Sequence, residues 1–155
     1  MSDVPVITRK ATIADATAIH RLVNAYARQG LMLGRALSEI YEHIRDFTVC
    51  EIGGEMVGCV ALSIAWSDLA ELRSLAVAAE HQRRGRGSVL CAACLTEARE
   101  MGLPRIFTLT YLPAFFEHLG YQRVDKQELP QKIWGECIKC PHFPDCDEVP
   151  LIRNV

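Results

Sequence analysis

Gln82-Arg83-Arg84-Gly85-Arg86-Gly87 stands between two apolar segments of different period. Ahead of it, Leu72 to Val77 reads as a strand. Behind it, Ser88 to Met101 carries apolar residues at helical spacing. A glycine-rich turn between a strand and a helix leaves backbone N–H groups uncovered at the helix N-terminus, where the helix dipole adds partial positive charge. Phosphate groups bind at such termini. Three arginines in the same turn add full charges, so the chain is expected to hold a phosphate-bearing ligand.

Outward from that turn, Val4 to Lys10 reads as a first strand. Thr12-Ile13-Ala14-Asp15 is a capping-box signal, and Ile19, Leu22, Val23 and Tyr26 follow at helical spacing. Gly30 and Gly34 break the chain around Leu31-Met32-Leu33, and Arg35 to Arg45 reads as a short second helix. Phe47 to Ile52 alternates as a strand, Gly53-Gly54 is a hairpin signal, and Val57 to Trp66 and Leu69 to Val77 are further strands. The helix after the glycine turn ends at Gly102, with Pro104 close behind. Arg105 to Thr110 is another strand. Ala114 to Leu119 is a short helix opened by Pro113, and Tyr121 to Val124 is a last short strand. This order predicts an α/β domain with a mixed, mostly antiparallel sheet and helices on both faces. Residues 1–125 form its core, and the proline-rich tail 126–155 packs on it or extends it.

Composition narrows the function. At 155 residues, with half of them apolar and 23% charged, the chain is long enough for one domain with a real core. A net charge of −2 argues against a general nucleic-acid binder. No apolar run approaches the roughly 20 residues needed to span a bilayer. The start of the chain lacks a signal-peptide pattern, so a cytoplasmic protein is expected. Four of the seven cysteines, Cys50, Cys59, Cys91 and Cys94, sit inside apolar segments and read as small core residues. The Cys91-x-x-Cys94 pair falls within a predicted helix and reads as a buried face, not a redox site.

The other phosphate motifs fit poorly. A dinucleotide fingerprint needs Gly-x-Gly-x-x-Gly in the first βα unit, and a P-loop needs a lysine that this turn lacks. Gln82-x-x-Gly85-x-Gly87 after a strand instead resembles the acetyl-CoA signature of the GNAT N-acetyltransferases. Phe115 to Tyr121 is similar to that family's aromatic-rich fourth helix and the strand after it. The resemblance covers roughly Val4 to Arg123. It implies the GNAT fold with acetyl-CoA as co-substrate. Successive amides of the turn from Gln82 through Gly85 to Gly87 would clasp the pyrophosphate, the side chains of Arg83, Arg84 and Arg86 would meet CoA phosphates or else only solvent, the Ser88 hydroxyl would add a contact, and the strand end Leu75-Ala76-Val77 would lend its backbone to the pantetheine arm.

Within that family, Leu31 to Arg35, Ile40 to Asp46, Trp66 to Val77, Phe107 to Tyr111 and the tail Leu129 to Cys140 resemble one branch, the short stand-alone N-acetylglutamate synthases. That likeness implies acetyl transfer to the α-amine of L-glutamate, the first step of arginine biosynthesis. Acetylation of another amino acid or a peptide amine, or a non-catalytic acyl-CoA sensor, stands as the alternative. The expected partners are acetyl-CoA and a small amino acid, with a homodimer left open as an assembly and no nucleic acid or membrane.

The residues bear on this directly. An amine that is protonated at neutral pH must lose a proton before it attacks a thioester, and a carboxylate accepts it directly or through water. Glu71 resembles the family's base position; its other reading is an exposed strand acid. Arg73 lies two residues on, so both side chains leave one strand face. Arginine binds carboxylates with a two-pronged fork. Arg73, Ser74 and Arg35 are the candidate acceptor contacts, with Arg45 a weaker one and a surface salt bridge the alternative for each arginine. Gly34 departs from the proline expected of close relatives. Where many relatives place a tyrosine to protonate the leaving thiolate, this chain has Phe116. Tyr111 is the candidate substitute, with Tyr121 second, unless the thiolate leaves unassisted. In the tail, Lys132 and Trp134 are placed to meet an anionic acceptor. Cys137, Cys140 and Cys146 form half of a zinc-type set, with free thiols the alternative and no metal expected.

Overall fold

Alternating apolar residues set four strands side by side: Val6–Lys10 (β1), Phe47–Ile52 (β2), Glu55–Trp66 (β3) and Leu69–Val77 (β4), each antiparallel to the next. Gly53 and Gly54, with φ of 59° and 81°, turn β2 into β3 in the left-handed pair that a two-residue hairpin needs. The computed structural model describes residues 5–129 and 148–155. Among these, Arg105–Thr110 (β5), Gln122–Arg123 (β6) and Val149–Asn154 (β7) complete a seven-stranded sheet in the order β1-β2-β3-β4-β5-β7-β6. Only the β4–β5 pair is parallel, so the sheet is mixed and mostly antiparallel, as expected.

The last strand corrects the sequence reading. The proline-rich stretch from Lys126 gives no strand signal, and a proline inside a strand argues against one. Yet β7 pairs with β5 over Thr110↔Val149 to Arg105↔Asn154, and with β6 at Gln122↔Ile152 and Arg123↔Leu151. The carbonyl of Pro150 accepts from the Val124 N–H at 3.0 Å. Within the tail, β7 thus adds a strand to the sheet, with Leu151 fully buried.

Helices cover both faces. Ala16–Ala27 (α1) and Leu37–Glu42 (α2) lie on one, packing Ile19, Val23 and Ile40 against Phe47, Val49, Cys59 and Ala61. Arg86–Met101 (α3) and Pro113–His118 (α4) lie on the other, packing Leu90, Cys94 and Phe116 against Val60, Leu62, Leu72 and Leu151. The cap at Thr12 forms as expected, its N–H donating to Asp15 Oδ2 at 2.7 Å. The second helix is shorter than Arg35 to Arg45. His43 leaves helical geometry (φ −110°, ψ 19°), and Ile44–Asp46 makes a separate 3-10 turn into β2. α3 ends at Gly102 (φ 78°), where Leu103 N–H reaches back to Ala98 O, the left-handed stop that glycine permits.

Cys50, Cys59, Cys91 and Cys94 are all buried free thiols. Burial pushes Cys59 and Cys94 up to about 12. Among the described residues no cluster of metal-ligand side chains occurs and no helix is long and apolar enough to cross a membrane. Cys137, Cys140, Cys146, Lys132 and Trp134 lie outside the described residues.

Candidate active site

β4 and β5 run together only at Ala70↔Ile106 and Glu71↔Phe107. A last link follows, from the buried Thr108 hydroxyl to Leu72 O at 2.8 Å. Past it the strands part and leave a cleft of about 490 Å³. Leu72 to Val77 form one wall and Thr108 to Leu112 the other. Phe115 and Phe116 of α4, Tyr26 of α1, Met32 and Glu148 close the sides. A parted strand presents unpaired backbone N–H and C=O groups, which suits an extended ligand that itself carries amides. Leu75, Ala76 and Val77 all border this cleft.

The glycine turn closes one end. Arg83 and Gly85 both adopt left-handed backbone, φ 63° and 79°, and such alternation turns successive N–H groups into an anion-binding concavity. Gly85 caps α3 with no side chain, so no capping bond occupies the first helical amides. Gly87 answers to packing: a Cβ there would stand 3.2 Å from Phe115 Cζ. Ser88 follows, half-buried in the first turn of α3. Arg83 and Arg84 point to solvent, whereas Arg86 Nη1 donates to Arg84 O at 3.0 Å and so braces the turn. Gln82 reaches inward, its Nε2 donating to Tyr26 Oη at 2.6 Å and to Val77 O at 3.1 Å, and the Tyr26 hydroxyl donates to the same carbonyl.

The other end is shaped by a bulge in β4. Ala61 pairs with Arg73 but Cys59 with Ala76, so β4 carries one extra residue there, and Ser74 has φ 55°. An extra residue shifts the in-out alternation by one. Ala70 and Leu72 face α3, and beyond the bulge Leu75 and Val77 face it instead. Arg73 and Ser74 border both the cleft and a second, water-sized pocket of about 10 Å³. That pocket is walled by Arg35, Glu39, Ile40, His43, Asp46, Phe47 and Ala61. Arg35 thus meets the adjacent Arg73 and Ser74 around one hollow, though it lies far from them in sequence. Arg73 Nη1 is 3.7 Å from Glu71 Oε1, both side chains 15% exposed. Glu71 borders neither hollow. Arg35 Nη1 is 3.8 Å from Glu39 Oε2, and His43 Nδ1 is 3.6 Å from Asp46 Oδ2. Burial raises the Asp46 carboxyl above its ordinary range, against the opposing pull of His43 and Arg73. Arg45 borders neither hollow.

The tyrosines separate cleanly. Tyr111 borders the cleft. Tyr121 is in the core, edge-on to Phe116 at 5.4 Å, its phenol raised by burial. Sequence reasoning passed over Tyr26, Thr108, His43, Asp46 and Glu148. Tyr26 reads as a core position of α1; His43, Asp46 and Thr108 lie inside stretches that carry the branch resemblance but with no individual role, and nothing local marks Glu148.

The acetyltransferase (GNAT) family model matches residues 16–121. The chain belongs to the GNAT acetyltransferase family. An uncharacterized N-acetyltransferase of Chlorobaculum tepidum is 40% identical over 147 residues, 95% of each chain. An amino-acid acetyltransferase of Mycobacterium tuberculosis is 33% identical over 133 residues, covering 84% of this chain and 76% of its own. Among solved structures, the N-acetylglutamate synthase of Neisseria gonorrhoeae, complexed with coenzyme A and N-acetyl-glutamate, superposes with a TM-score of 0.89 at 28% identity. That match takes in 99% of this chain, which spans 36% of the synthase. This GNAT protein is an acetyl-CoA-dependent acyltransferase, and the parted β4–β5 edge with its glycine turn is the feature of the fold that suits acetyl-CoA.

Proposed function

We propose that this acetyltransferase moves the acetyl group of acetyl-CoA to the α-amine of L-glutamate, the reaction that opens arginine biosynthesis. The observation that carries the reading is the meeting of Arg35, Arg73 and Ser74 at the bulged end of the open β4 edge. Glutamate brings two carboxylates, and guanidinium forks bind them in fixed geometry. The names borne by the relatives, amino-acid acetyltransferase and N-acetylglutamate synthase, support the same acceptor class.

In this reading Glu71 is the base. Because it borders neither hollow but stands 3.7 Å from Arg73, it takes the ammonium proton through a water. The freed amine attacks the thioester carbonyl, so a C–N bond forms as the C–S bond breaks. Tyr111, at the cleft wall, gives its proton to the departing thiolate and is reprotonated by the second proton that the nitrogen sheds as it becomes an amide. Phe116 has no hydroxyl for that step, and Tyr121 is buried away from the cleft. A panel of amino acids with acetyl-CoA, followed by thiol release, tests the assignment. Glutamate is expected to be the best acceptor; release with another amine and none with glutamate ends it.

A further inference from the structure

Asn24 grips the backbone of Arg35 as both donor and acceptor. Its Nδ2 donates to Arg35 O at 2.9 Å and to His20 O at 2.8 Å, and its Oδ1 accepts from Arg35 N–H at 3.2 Å. Two carbonyls at one end of the amide and an N–H at the other fix which end is nitrogen. A side-chain amide can donate and accept at once, whereas a carboxylate of the same shape only accepts.

Gly34 makes the approach possible. A Cβ there would stand 2.8 Å from Asn24 Oδ1 and 3.5 Å from Ala27 Cβ. A proline at 34 would stiffen this loop through its ring; here α1 holds the loop through an amide. The arginine side chain gives its own loop little anchorage. Arg35 Nε is buried with no hydrogen-bond partner among the described residues, and Nη1 reaches only the half-exposed Glu39 at 3.8 Å. One turn of α1 also carries Tyr26, which holds Val77 and Gln82 on the donor side of the cleft. The end of α1 therefore ties the acceptor loop through Asn24 and the donor strand through Tyr26.

We infer that Asn24 is a positioning residue for the amino-acid acceptor: by fixing the Arg35 backbone it sets the guanidinium where a carboxylate binds. The inference rests on the proposed role of Arg35 as a carboxylate clamp. The test is steady-state kinetics on the full chain with the best amino acid of the panel, comparing Asn24→Ala, Asn24→Asp, Arg35→Ala and the Asn24→Ala/Arg35→Ala double variant. Asn24→Ala is expected to raise the acceptor KM about tenfold, the scale of one or two lost hydrogen bonds, with the acetyl-CoA KM changed less than about twofold. On the Arg35→Ala background the same change should add nothing further, because a residue acting through Arg35 has nothing left to position. Asn24→Asp keeps the acceptor oxygen and the side-chain volume but sets a carboxylate oxygen against the His20 and Arg35 carbonyls, so it should raise the acceptor KM at least as much as alanine does. It also serves if the alanine variant does not fold. An Asn24 effect that persists in full without Arg35, or that raises both KM values alike, overturns the inference. So does an unchanged acceptor KM in Asn24→Ala when Arg35→Ala raises it. An unchanged KM in Arg35→Ala itself instead removes the clamp.

Discussion

Arg73 Nη1 and Glu71 Oε1 stand 3.7 Å apart on the face of β4 that looks toward α2. The pair joins a cation suited to a carboxylate with an acid suited to an ammonium proton. Glu71→Gln keeps the shape and removes the base. Turnover is expected to fall about a hundredfold near neutral pH, the usual scale of general-base catalysis. The loss should grow as pH falls, because free amine becomes scarce, and shrink as pH rises toward the amine's own pKa. The pH profile of kcat/KM checks it; a ratio of variant to parent that is flat across pH would remove Glu71 as the base.

Gly87 and Phe115 meet closely enough that a methyl group at 87 would press on the ring at 3.2 Å. Gly87→Ala is therefore expected to displace α4 from the cleft wall and raise the acetyl-CoA KM. Gly85→Ala meets no neighbour but must hold φ 79°, which costs about 1 kcal/mol for a residue with a Cβ. Both variants should leave the acceptor KM nearly unchanged. Direct titration with coenzyme A distinguishes weakened binding from slowed chemistry.

Arg9 fixes Asp15 with two bonds, Nη1 to Oδ2 at 2.8 Å and Nη2 to Oδ1 at 2.9 Å, and also reaches Glu51 at 3.0 Å. Bonding to Arg9 holds the Asp15 carboxyl below its ordinary value, against a desolvation cost. A carboxyl with a lowered folded-state pKa adds stability above its unfolded value and loses it as pH falls through the folded one. Asp15→Asn should thus cost about 1–3 kcal/mol at pH 7, with the gap from the parent closing below about pH 4. Chemical denaturation at several pH values reads this directly.

Cys59 and Cys94, whose thiols burial pushes up to about 12, carry almost no thiolate at pH 8. They are expected to resist iodoacetamide in the folded protein and to react fully in denaturant, as peptide mass mapping would show. Rapid labelling of Cys94 in the native state would contradict the buried-face reading of the Cys91-x-x-Cys94 pair.

What the sequence determined by itself is what neighbours along the chain encode. β2, β4 and β5 keep the bounds their alternation predicts. Gly53-Gly54, Gly102 and the glycine turn act through their own backbone angles. Glu71 and Arg73 share a face because a strand has period 2. Tertiary structure alone decided the rest, since those features depend on partners far along the chain. β7 is disguised by Pro150 and is recognisable only through its pairing with β5 on one side and β6 on the other. The bulge at Ser74 breaks a period that the residues around it would otherwise continue. Tyr111 and Tyr121 are both candidates for one proton, yet one borders the cleft and the other fills the core. Asn24 reads as an ordinary helical residue until the loop folds back and presents Arg35 to its amide. Local backbone preference is written in adjacent residues; which side chain meets which across the sheet is settled only when the distant parts pack.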